Sequence, residues 1–209
     1  MDLYAALADE RRAIAARLDT LTPEQWRTPS LCSSWTVHQM ATHLLVSCDF
    51  TLREVAVAML RARGNVDRLQ ERLVDNRADL SPEHVVARLR EKADARQVPP
   101  VVGVRGPYTD ALVHQLDMWI PLGLDDERPV ERWRPALDFL MTKKATVGFL
   151  PAAPPDLWYQ ATDLEWQHGT GDVVSGSAAD LTLAILGRTP RLDRLDGPGA
   201  DALRDYARR

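Results

Sequence analysis

From Leu3 to Thr146 the apolar residues of this chain recur every three or four positions, and most of these runs open on a helix-start signal. A period of three to four buries one face of a helix and cannot line one face of a strand, so this stretch predicts a helical fold. The first run, residues 2 to about 20, carries Leu3, Ala6, Leu7, Ile14, Leu18 and Leu21 on one side and charges on the other. Thr22 and Pro23 restart a short turn anchored by Trp26. Thr36 and Gln39 make a capping-box pattern, and the helix they open meets no breaker until Gly64, which predicts the longest element of the chain. On it, His43 shares a side with Met40, Ser47 and Phe50 and therefore faces inward.

Residues 66 to 97 continue as helix, reset at Ser81 and Pro82 by a cap and a first-turn proline and ended by Pro99 and Pro100. A helix from about Pro107, stopping before Pro121 and Gly123, carries Leu112, Val113, Leu116 and Trp119. The last helix of the bundle runs from about Val130 to Thr146 on Trp133, Leu137, Leu140 and Met141. At Pro151 the pattern changes. PAAPP reads as a linker, LWYQATDLEWQHGTGDVVSGS as a hairpin turning at its Gly-rich tip, and SAADLTLAILG as a short helix closed by Gly187. The expected class is mainly α, with a helical bundle over 1–150 followed by a small α/β C-terminal domain over 151–209.

Composition narrows the function. With 209 residues, 45% of them hydrophobic, the chain can bury a proper core. A net charge of -4 with scattered Lys and Arg leaves no basic surface to neutralise phosphates, so nucleic acid is not an expected partner. No run approaches the roughly 20 apolar residues of a membrane span, and the start MDLYAALADERR carries acids where a secretory signal is basic and apolar. A cytoplasmic protein without membrane contact, monomer or homodimer, is expected. Two cysteines, Cys32 and Cys48, are too few for a disulfide framework and read as free thiols, Cys48 inert within an apolar helix and Cys32 in a loop, where a catalytic thiol is the lesser alternative.

Asp110 and His114 stand four apart on one helix, where two side chains share a face and can bind a common ion. His43 is the best third ligand, because it lies on the core-facing side of an otherwise apolar helix. The residues alone leave a second reading open, in which the Asp–His pair supports its helix and His43 is a satisfied core residue. His38, His84 and His168 read as surface or capping residues.

Two segments, LTPEQWRTPSLCSSWTVHQMATHLL and RGPYTDALVHQLDMWIPLGL, resemble the signature regions of the mycothiol-dependent maleylpyruvate isomerase family, among the DinB-like metal-binding four-helix bundles. ATDLEWQHGTGDVVSGSAADLTLAILGR is similar to that family's C-terminal domain. The resemblance implies a DinB-like four-helix bundle with zinc or another divalent ion on His43, Asp110 and His114. The middle ligand of the family is commonly Glu, and Asp110 stands at that position. It also implies mycothiol as a thiol cosubstrate held as thiolate on the open metal position. The activity implied is isomerisation or thiol transfer on a small electrophilic substrate, and the alternative is a binding protein of the same fold without turnover. Arg105, just before the Asp110 helix, is either an anchor for a substrate or cofactor carboxylate or a surface arginine. Trp35 lines the cleft or staples the helix entry. Asp117 orients His114 or faces a neighbouring cation.

Overall fold

The computed structural model describes residues 1–32, 35–98, 102–150 and 152–209. By its internal contacts the chain divides into two compact units, one of Met1–Val98 with Asp110–Asp126 and the other of Pro99–Thr109 with Glu127–Arg209.

In the first unit the helices follow their start signals. α1 (Leu3–Leu18) begins where the Asp2 carboxylate accepts from the backbone N–H of Tyr4, and it buries Leu7, Ile14 and Leu18. α2 (Pro23–Trp26) and α3 (Val37–Val46) both open on full capping boxes, Thr22 with Gln25 and Thr36 with Gln39. α4 (Leu52–Arg61), α5 (Val66–Asp75) and α6 (Pro82–Glu91) follow, α6 with Ser81 as cap and Pro82 in its first turn. α1 packs on α6, and α3 packs on α5 and α6. Arg11 reaches from α1 to the carbonyls of Ala93 and Ala95 just beyond α6, so this buried guanidinium satisfies acceptors past a helix end while tying that segment to α1. α7 (Arg105–Trp119) carries Leu112, Val113, Leu116 and Trp119, all buried as expected.

The long helix expected from Val37 to Gly64 is instead two, because the chain turns at Ser47–Thr51. Ser47 Oγ donates to the Leu44 carbonyl, and Thr51 begins α4 with a capping box to Glu54. The turn is held from outside its own sequence: Arg77 donates to the Asp49 carbonyl at 2.7 Å, and Arg88 pairs with the Asp49 carboxylate at 2.7 Å. Phe50, expected on the His43 face, therefore lies beyond the end of α3. α6 ends at Glu91, ahead of the expected stop at Pro99 and Pro100, which lie outside the described residues.

The second unit replaces the expected helix over 130–146 with a 3-10 turn (Val130–Trp133), α8 (Arg134–Leu140) and α9 (Lys143–Gly148). Thr142 makes the break, its hydroxyl donating to Phe139 and accepting from the Ala145 N–H. The start of the expected linker, Pro151, lies outside the described residues. Beyond it stands a three-stranded sheet of β1 (Trp158–Ala161), β2 (Gln167–Gly169) and β3 (Val173–Gly176), ordered β2-β1-β3. β1 and β2 are an antiparallel hairpin, whereas β3 runs parallel to β1 on its other edge. The Gly-rich segment is thus the link from β2 to β3 and not the tip of the hairpin, and His168 stands within β2. Gly169 and Val173 both pair with Trp158, so the link passes close to the start of β1. α10 (Ala178–Ile185) packs on α8, and with α11 (Ala200–Ala207) it covers β3. The fold is mainly α with a small α/β element near the C-terminus, and no described helix is long and apolar enough to cross a membrane.

Cys48, 1% exposed, follows α3, and burial pushes its thiol up to about 11, against the opposing pull of the Arg11 charge. The thiolate is the reactive form, so Cys48 is expected to resist iodoacetamide at pH 7.5 in the native protein and to react once unfolded. Peptide mapping that found Cys48 alkylated at the rate of an exposed thiol would contradict this packing.

Candidate metal centre

α3 and α7 bring His43, Asp110 and His114 together, with one possible donor atom from each lying within 4.8 Å of the others. His114 Nε2 stands 3.5 Å from Asp110 Oδ1, one helical turn earlier on α7. The rings of His43 and His114 meet edge to face with centroids 4.9 Å apart, and the Trp35 ring lies 5.0 Å from His43 on a tilted plane. Behind His114, Nδ1 donates to Asp117 Oδ2 at 2.9 Å. Asp117 is fully buried, and the same oxygen accepts from the Cys32 thiol at 3.3 Å.

The electrostatics of the two rings differ. Burial pushes His43 down to about 4, the nearby charge of His114 acts the same way, and Asp110 and Asp117 only partly oppose it. His43 is a neutral imidazole at physiological pH, as a metal ligand must be. Burial opposes charge on His114 as well, but its bonds to Asp110, Asp117 and Cys32 outweigh it and hold the ring well above its ordinary value. The two carboxylates thus favour positive charge at this point of the cluster, whether a ring proton or a metal cation.

A divalent ion fits this donor set. The Nδ1 atom of His43 is buried with no hydrogen-bond partner among the described residues, an arrangement that costs about 1–3 kcal/mol unless something binds the nitrogen. On a tetrahedral ion with bonds of about 2.1 Å, neighbouring donors stand about 3.4 Å apart, and the 3.5 Å between His114 Nε2 and Asp110 is already at that spacing. Cys32, His114 and Asp117 also lie within 4.8 Å of one another. That second group is already joined by hydrogen bonds, whereas the first leaves a nitrogen of His43 unmet.

Of the residues singled out in the sequence, Trp35 packs beside His43, and Arg105 is exposed at the first position of α7, in the second unit. His38 is half-buried and bonds Leu80 O at 2.9 Å, His84 bonds the Ser81 cap, and His168 stacks on Trp166. The pairing of Asp117 with His114 follows from their spacing on one helix. The approach of Cys32 had no such signal, because 85 positions separate it from Asp117.

Residues 7–99 match the family model described as the mycothiol maleylpyruvate isomerase N-terminal domain. Two crystal structures share the fold. One is a histidine-to-alanine mutant of the mycothiol-dependent maleylpyruvate isomerase, at 18% identity and a TM-score of 0.57 over 96% of this chain and 94% of that one. The other is the mycothiol-dependent maleylpyruvate isomerase, at 17% identity and a TM-score of 0.52 over the same shares. No curated protein sequence matches the chain.

Proposed function

Because residues 7–99 belong to the mycothiol maleylpyruvate isomerase N-terminal domain family, we propose that this chain is a divalent-metal-dependent enzyme that uses mycothiol on a small electrophilic substrate, as an isomerase or a thiol transferase. The observation that supports it best is the convergence of His43, Asp110 and His114, with one possible donor atom from each within 4.8 Å of the others.

In this reading His43 and His114 supply nitrogen and Asp110 supplies oxygen to the ion, a donor set that suits zinc. Asp117 keeps the Nδ1–H of His114 engaged, which leaves Nε2 on the Asp110 side for the ion. A divalent ion held by three protein ligands supplies an open position on which a thiol is kept as thiolate at neutral pH, although a free thiol titrates near 8.5. Trp35 packs against one side of the His43 ring.

Protein purified without chelator is expected to carry about one zinc or similar ion per chain. After cobalt substitution, mycothiol should add a sulfur-to-metal band to the visible spectrum, and its desthio analogue should not. Thiol-dependent turnover of maleylpyruvate or a model electrophile completes the test. Product mass then separates the two reactions, since an isomerase returns the thiol and a transferase leaves it attached. If the metal-loaded protein shows neither the band nor thiol-dependent turnover, the enzyme reading falls and a binding protein of the same fold replaces it.

A further inference from the structure

Asp117 is the point at which two distant parts of the first unit are joined twice. Its backbone carbonyl accepts from the Leu31 N–H at 2.9 Å, and its carboxylate accepts from the Cys32 thiol at 3.3 Å. The segment that presents Cys32 is itself cross-bonded. Ser30 Oγ accepts from the Cys32 N–H at 3.2 Å, the Trp35 N–H donates to the Cys32 carbonyl at 2.8 Å, and Ser30 Oγ donates to the Trp35 carbonyl at 2.8 Å. The thiol is therefore carried by a braced loop onto the same oxygen, Oδ2, that holds Nδ1 of His114 at 2.9 Å. A second donor on that oxygen restricts rotation of the carboxylate, and the carboxylate in turn sets the plane of the imidazole.

We propose that Cys32 is a positioning residue for the metal centre, acting through Asp117 and through its own contact with His114 to fix that ring with Nε2 toward Asp110. This rests on the reading of His43, Asp110 and His114 as the ligands. Cys32 is not a ligand in this arrangement: an ion taken by Cys32, His114 and Asp117 would have to displace the 2.9 Å bond between His114 and Asp117 and would leave the Nδ1 of His43 unpartnered.

The test compares Asp117→Asn, Cys32→Ala and Cys32→Ser, each checked for folding by circular dichroism, in zinc competition against a chromophoric chelator. Asp117→Asn is expected to weaken zinc binding about 10- to 100-fold and Cys32→Ala, which loses the weaker thiol donor, about 3- to 10-fold. Cys32→Ser should stay within about threefold of wild type, because a hydroxyl can donate to the same oxygen. The second readout needs no metal. In protein labelled with 15N-histidine, the downfield ring N–H proton that His114 shares with Asp117 should move in Cys32→Ala and return in Cys32→Ser. Wild-type zinc affinity together with an unmoved resonance in Cys32→Ala would overturn the proposal. So would equal zinc loss in the Ala and Ser variants with a sulfur-to-cobalt band in wild type before any thiol is added, since Cys32 would then be a ligand. If wild type takes up no zinc while the resonance still responds to Cys32, the ligand reading fails and the positioning role stands.

Discussion

His43→Ala and His114→Ala are each expected to give a folded protein that no longer retains its divalent ion, with affinity reduced by more than the roughly 10- to 100-fold that loss of a mere outer partner costs. Asp110→Ala should do the same, whereas Asp110→Glu should keep the ion, since the carboxylate is retained on the same face of α7 one turn before His114. Thermal unfolding with and without zinc separates ligand loss from damage to the fold. Zinc binds the folded state and should raise the Tm of wild type and of Asp110→Glu, but not that of the alanine variants. His43→Ala is informative without metal too. Removing the ring removes a buried nitrogen that lacks a partner among the described residues, which offsets part of the packing lost against Trp35 and His114. Metal-free His43→Ala should therefore unfold close to metal-free wild type. Full ion occupancy in both histidine variants would remove these residues as ligands.

Gly169→Ala should be the most damaging single methyl addition in the second unit. Gly169 sits at φ +90, and a Cβ there would lie 2.2 Å from the backbone carbonyl oxygen of Leu157, which cannot swing aside as a side chain can. The close approach arises because the chain leaves β2 and must pass the start of β1 within three residues to begin β3. The cost should be about 3 kcal/mol, combining left-handed backbone with the displacement of a paired strand. Gly187→Ala is the control. Its φ is +77, but the nearest atom outside its own neighbourhood stands 3.7 Å from the added Cβ, so only about 1–2 kcal/mol of conformational cost applies. A melting experiment in which Gly169→Ala is no worse than Gly187→Ala would show that the link does not pass β1 as described.

By itself the sequence determined the elements whose signals are local. Thr22 with Pro23, the capping box at Thr36, Ser81 with Pro82, and the apolar stripe of α7 each act within one or two turns, so composition and spacing suffice to place them. The same holds for Asp110, His114 and Asp117 on one helix, where a spacing of three or four is a geometric statement. The turn after α3 was half legible. Thr51 and Glu54 are a capping box in sequence, but the alternative of one continuous helix to Gly64 loses only because Arg77 and Arg88, from 28 and 39 positions away, bind Asp49 in the turned form. The Gly-rich segment after β2 shows the same limit, since strand periodicity does not say on which edge of β1 the third strand will pair. Tertiary structure alone decided the surroundings of the two histidines. It set Trp35 against His43, left a nitrogen of His43 unmet, and carried Cys32 onto the oxygen that holds His114. The physical reason is that hydrogen-bond satisfaction and burial belong to neighbours in space, and a helix period carries no information about which loop will be braced across its inner face.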